Sequence, residues 1–283
     1  MTTINPAERI DFNGMPATRL RAPDGSEAIV LDHGAHVVSW KPRGGPDRLY
    51  LSPDAVFEQG TAVRGGVPIC FPQFANNGPL PSHGFARKSN WELVDARGGE
   101  DYAMANLRLR YSDATLAEWP GQFVLELAIS VSGDRLDLEM DVLNDGEESF
   151  SFTAALHTYL AVKEVEECAL EGLRGQDCSD SLTKKRFRET GTSFMVDQEV
   201  DRIYHGTKNA LLLREHHRAL AIHSENLPDT VVWNPWVERS KQLKDLPDNG
   251  FRRMLCVEGA VVESPVVLGP QQSWWGRQTL MVL

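Results

Sequence analysis

The sequence is poor in positive charge, in paired cysteines, in helical periodicity and in long apolar runs, and each shortage excludes something. Against 40 Asp and Glu stand 29 Lys and Arg, a formal net charge of −11. That balance argues against general binding to nucleic acid or to an anionic membrane. It does not forbid a small anionic substrate, since a local arginine cluster can capture one anion against an adverse overall field. The four cysteines, Cys70, Cys168, Cys178 and Cys256, show no CxxC spacing. No apolar run approaches the roughly 20 residues that span a bilayer. The opening MTTINPAERIDFNG has neither the basic n-region nor the apolar h-region of a signal peptide. Reduced thiols in a cytoplasmic protein are therefore expected.

Familiar chemical signatures are missing as well. His33 and His36 form an HxxH pair, but residues three apart on a strand face opposite sides and do not share a metal. Adjacent His216 and His217 meet the same objection. No Walker or Rossmann glycine pattern appears, and GxSxG is absent. No metal and no cofactor is expected.

What the sequence does contain is period-2 alternation. Residues 122–131 (QFVLELAISV) put Phe123, Leu125, Leu127, Ile129 and Val131 on one face. Residues 135–142 (RLDLEMDV) put Leu136, Leu138, Met140 and Val142 on one face and Arg135, Asp137, Glu139 and Asp141 on the other. These are half-buried antiparallel strands, joined through Ser132-Gly133-Asp134 as a hairpin. Further strands are expected at 28–32, 36–40, 104–111, 149–160, 210–215, 219–224, 229–234, 254–263 and 273–282. Helix is expected only over 236–245, with one turn at 113–119 stopped by Pro120. With no internal repeat and no linker, the pattern predicts an all-β fold, a large sandwich or barrel-like sheet pair in a single domain over residues 1–283.

Three segments carry groups able to move protons. Residues 64–87 (RGGVPICFPQFANNGPLPSHGFAR) form a Gly- and Pro-rich loop with Arg64, Gln73, His83 and Arg87. Taken alone it could equally be a solvated surface loop. Residues 152–160 (FTAALHTYL) place His157 in a run of apolar and small residues, with Ala155, His157 and Tyr159 on one face and Leu156, Thr158 and Leu160 on the other. A lone histidine there is ordinarily a hydrogen-bonded core residue, yet its pKa near 6.5 suits proton transfer. In residues 254–260 (MLCVEGA), Glu258 follows an apolar run. At the end of a strand it could simply be exposed; desolvated in a cleft, its raised pKa would make it a better base.

The strings RGGVPICFPQF, HGFAR, ALHTYL, VDRIY, VVWNPW and CVEGA, in this order, together resemble the glucose-6-phosphate 1-epimerase group of the aldose 1-epimerase superfamily, over most of the chain from about Ile29. The resemblance implies a galactose-mutarotase-like β-supersandwich with an open cleft, and cofactor-independent interconversion of sugar anomers. It implies that His83 and His157 are the active-site histidines and Glu258 the catalytic glutamate. Arg64, Gln73, Arg87 and Asp201 fall at substrate-binding positions. In that scheme Glu258 takes the anomeric proton, His157 protonates the ring oxygen and His83 donates a hydrogen bond nearby. Carboxylate and imidazole are expected on opposite sides of a pyranose-sized space. The implied substrate is a small sugar phosphate, and nothing demands more than a monomer. Two alternatives stay open: an epimerase for neutral sugars, and a non-catalytic carbohydrate-binding protein on the same fold.

Overall fold

Alternation builds most of this molecule. The computed structural model describes residues 6–216 and 218–283. Phe123–Ser132 and Arg135–Asn144 pair antiparallel along their whole length, from Phe123 opposite Asn144 to Ser132 opposite Arg135. Gly133 turns the hairpin with φ 54°, a conformation that glycine adopts without a Cβ penalty. The apolar faces read from the sequence are buried, and Arg135 pairs with Asp137 on the wet side at 2.6 Å.

The described strands form three antiparallel sheets. Ala7–Phe12, Met15–Arg21, Glu27–Leu31 and Val37–Lys41 make a four-stranded meander. Asn13 and Gly14 close its first hairpin with φ of 53° and 84°, the positive pair that a two-residue turn requires. The sequence expectation contained no strand before residue 28, so this hairpin is an addition to it. A nine-stranded sheet holds the long hairpin together with Ala103–Arg110, Ser273–Val282, Arg218–Glu225 and Leu211–Glu215. An eight-stranded sheet runs in the order Arg186–Arg188, Asp177–Asp180, Val200–His205, Asp229–Asn234, Met254–Leu268, Phe150–Leu156 and Ile69–Cys70, with Tyr159–Ala161 also pairing to Met254–Leu268.

The main core lies between the eight- and nine-stranded sheets. Leu156, Leu160, Val232 and Val257 meet Leu125, Leu127, Ile129, Leu138 and Leu280 there. The opposite face of the eight-stranded sheet is different. It mixes small side chains, among them Cys70, Ala155 and Ala260, with polar and larger apolar ones such as Val231, and a cleft opens over it.

Three expectations need correction. Residues 149–160 are not one strand: pairing stops after Leu156 and resumes at Tyr159. The strand expected to end at 263 continues to Leu268. Pro265 falls where the register shifts between Phe152 and Ala154, so its missing N–H costs no ladder bond. The helix over 236–245 forms only from Trp236 to Ser240, and the chain beyond it turns to bring Asp245 against Arg64. The short helix Asp113–Glu118 is capped by Ser112. Among the described residues no helix is long and apolar enough to cross a membrane.

Candidate active site

Strand register assembles the site floor. Leu156 stands opposite Gly259 and Tyr159 opposite Cys256. The register is the same on both sides of the gap, so His157 stands opposite Glu258. The ladder opens at this point because the Thr158 amide turns back to the Leu156 carbonyl at 2.9 Å, while on the strand's other edge the His157 amide donates to the Pro68 carbonyl at 3.0 Å. Ile203 and Val231 continue the row of His157 and Glu258, while Asp201, Trp233, Cys256 and Tyr159 form the next row. Rows in register share a face, which puts these side chains along one surface.

His157 Nε2 lies 3.4 Å from Glu258 Oε1. The imidazole is stacked on the Tyr159 ring at 4.9 Å with an interplanar angle of 12°. Glu258 is 1% exposed and His157 7%. One expectation is overturned here: carboxylate and imidazole are direct neighbours rather than opposed across a pyranose. Glu258 sits buried inside its strand, which closes the alternative of an exposed residue at a strand end.

The Gly- and Pro-rich segment supplies the wall. His83 and Gly84 both adopt positive φ, 66° and 67°, and the chain turns back against Phe71. A Cβ on residue 84 would lie 2.3 Å from the Phe71 carbonyl oxygen, so glycine is required. His83 thereby reaches the floor, its ring centroid 5.4 Å from that of His157. Gln73 does not line the cleft. Its amide donates to the carbonyls of Ala75 and Leu80 and accepts from the Leu80 N–H. The substrate-binding position expected for Gln73 is instead a brace that shapes the loop.

The cleft has a volume of about 730 Å³. Arg64, His83, Arg87, His157, Asp201 and Glu258 all line it. Arg64 is already engaged: it bonds the Tyr159 hydroxyl at 2.9 Å and pairs with Asp245 at 3.2 Å. Arg87 donates to the Ser82 carbonyl at 2.8 Å, and among the described residues the buried Nε of each arginine has no hydrogen-bond partner. Asp201 lies toward the Ser181 side of the cleft, where burial raises its pKa against a hydrogen bond from Ser181.

The electrostatics suit proton transfer. Burial pushes the Glu258 carboxyl well above the usual range, Asp201 adds to this, and Arg87 opposes it. Burial holds the His157 imidazole well below 6.5, helped by His83, Arg87 and Arg64. Burial, then Arg87 and Arg64, push His83 down to about 3. Burial thus favours the neutral form of both the carboxyl and the imidazoles, and either group takes up its charge only where a charged partner compensates.

The same groups include a possible set of metal ligands. The ligand atoms of His157, Cys256 and Glu258 lie within 4.8 Å of one another. Ligands held about 2.0–2.3 Å from one zinc ion are roughly 3.3–3.8 Å apart, so this set would have to draw inward. His33 and His36 are committed separately, to the carbonyls of Thr61 and Gly65 at 2.7 Å each. His216 bonds Glu167 at 2.6 Å; His217 lies outside the described residues.

A floor of His157 and Glu258, walled by His83 and two arginines, invites comparison with known proteins. The family model described as aldose 1-epimerase matches residues 16–280. The chain belongs to the aldose 1-epimerase family. Relatives of this epimerase from Cenchrus ciliaris and Escherichia coli, each named "Putative glucose-6-phosphate 1-epimerase", are 37% and 33% identical to it. The alignments cover 93% and 87% of this chain, and 87% and 86% of the relatives. The crystal structure of a "putative mutarotase (YeaD)" from Salmonella typhimurium superposes with a TM-score of 0.91 at 28% identity, covering 100% of this chain and 95% of that one. The all-β, galactose-mutarotase-like architecture expected from the sequence is thus the architecture of this epimerase.

Sequence reasoning passed over several residues that build the epimerase cleft. Trp233 sits in VVWNPW and Tyr159 in ALHTYL, so both were visible but unassigned. Lys184, Arg239 and Asp245 come from turns and a short helix, where no periodicity points at a site. Lys184 and Arg239 line the cleft, and Asp245 holds Arg64.

Proposed function

We propose that this chain is a hexose-6-phosphate mutarotase that interconverts the α and β anomers of glucose-6-phosphate-type sugars. One observation carries the reading: a buried Glu258 within 3.4 Å of His157, facing a cleft that also holds His83, Arg64 and Arg87. Glu258 accepts the proton of the anomeric O1–H. The ring oxygen receives a proton from His157, with His83 donating a hydrogen bond to the same region. The C1–O5 bond breaks and the C1 carbonyl forms. Rotation about C1–C2 followed by the reverse transfers closes the other anomer. The balance is complete without a redox step. Each positioned acid or base is worth about 10²- to 10⁴-fold, and holding the sugar in place supplies more.

The phosphate has an electrostatic consequence in this scheme. Arg64 and Arg87 both disfavour protonated His157. A phosphate paired with those arginines cancels part of that repulsion, so the substrate helps to charge the acid that acts on it. Asp201 is assigned to a sugar hydroxyl. We take residues 1–283 as one aldose 1-epimerase-like domain, active as a monomer, since every group invoked comes from one chain. Its four buried free cysteines fit a reducing cytoplasm.

A neutral-sugar epimerase is the second reading, favoured by the engagement of Arg64 with Asp245 and Tyr159. The deciding experiment follows anomeric equilibration of freshly dissolved α-glucose-6-phosphate and α-glucose by polarimetry, with and without protein. Acceleration of glucose alone would put the second reading first.

A further inference from the structure

One contact at the cleft wall goes beyond this assignment. Cys70 Sγ lies 3.0 Å from His83 Nδ1, and the Ala75 backbone N–H donates to the same nitrogen at 3.4 Å. A backbone N–H can only donate, so Nδ1 must be an acceptor and carries no proton. The neutral ring then bears its proton on Nε2, the nitrogen at the other end of the ring from this wall. Among the described residues no protein group hydrogen-bonds that Nε2.

We propose that Cys70 is a positioning residue: together with the Ala75 amide, its thiol locks His83 in the Nε2–H tautomer, so that the cleft meets a donor and never a lone pair. The proposal rests on the mutarotase reading for its consequence, since a ring oxygen gathering charge needs a donor at that place. Several features show that the contact is built into the fold. Cys70 lies on a floor strand, in register with Ala155 two residues before His157, and is fully buried. The loop returns through Ala75 and His83, both non-glycine residues with positive φ, 48° and 66°. Each such residue is unfavourable by roughly 1 kcal/mol or more. The His83 amide closes the circuit on the Ala75 carbonyl at 2.9 Å. A thiolate–imidazolium pair is the competing description. Burial opposes both of its charges, lifting the Cys70 thiol far above its ordinary value and holding His83 near 3, so the thiol keeps its proton and donates it.

The test combines tautomer and turnover. In ¹⁵N-histidine-labelled protein, His83 should show a protonated Nε2 and a bare Nδ1 from pH 6 to 8. Cys70→Ala should lower kcat roughly five- to tenfold, the worth of one hydrogen bond, leave KM for glucose-6-phosphate unchanged and broaden the His83 tautomer signature. Cys70→Ser, which keeps a donor, should recover most of kcat. This serine variant also serves if the alanine variant folds poorly. A proton on Nδ1 in the wild type would overturn the proposal. So would a Cys70→Ala variant with unchanged tautomer and unchanged kcat. Wild-type protein with the expected tautomer and no anomerase activity would instead sink the functional reading.

Discussion

Replacing Arg87 by alanine separates recognition of phosphate from chemistry on the ring. Arg64 and Arg87, two of the arginines that line the cleft, are not equivalent. Arg64 already bonds Tyr159 and Asp245, whereas Arg87 donates to the Ser82 carbonyl. A charge-assisted hydrogen bond is worth about 1.5–3 kcal/mol, or roughly ten- to hundredfold in kcat/KM. Arg87→Ala should cost that much on glucose-6-phosphate and much less on glucose. The same guanidinium also favours ionised Glu258, and its loss weakens the base for both sugars. The ratio of the two kcat/KM values removes that common part. Arg64→Ala should show a smaller ratio, because Asp245 and Tyr159 already share its donors. Equal losses on both sugars in the Arg87 variant would mean that this residue does not read phosphate, and would bring the neutral-sugar reading forward.

Glu258→Gln should abolish turnover, by at least about 10²-fold, while sugar phosphate still binds by calorimetry; near-normal turnover would assign the base elsewhere. His157→Asn should lose most activity, and His83→Asn less. Because Glu258 is raised well above the ordinary carboxylate value of 4.5, the acid limb of kcat/KM should rise with pH through a midpoint above 4.5; a limb at the ordinary value would refute a desolvated base. Buried His36, lowered from 6.5 to about 4, binds a proton in the unfolded chain before the folded one. Its contribution therefore falls as pH drops from 6.5 toward 4, by roughly 2 kcal/mol between pH 7 and 4.5. Urea melts at both pH values should show a flatter pH dependence in a His36→Gln variant. Exhaustive treatment with a chelator should leave kcat unchanged; loss of activity restored by zinc would return attention to His157, Cys256 and Glu258.

The sequence by itself determined the faces of the long strands. Alternation in 122–131 and 135–142 buries the side chains from Phe123 to Val131 and from Leu136 to Val142 that it assigns to the core, because a period of two leaves only two choices and the core takes one. The same logic survives the break at His157, where Leu156 and Leu160 still join the core and Tyr159 still faces the cleft side. The local strings also sufficed to name His83, His157, Glu258, Asp201, Arg64 and Arg87, which line one cavity. Tertiary structure decided how those groups meet. Nothing local says that the strand bearing Glu258 pairs with the one bearing His157 in the register that sets them 3.4 Å apart, since register is a property of two strands. Val200–His205 escaped notice as a strand because its cleft face mixes Asp201, Ile203 and His205, which erases the hydrophobic alternation. Gln73 departs from its expected place in the cleft, and Arg64 arrives there with partners of its own, for a similar reason. A polar side chain goes to whichever partner the folded chain brings within reach, and here the loop backbone claims Gln73 while Asp245 claims part of Arg64.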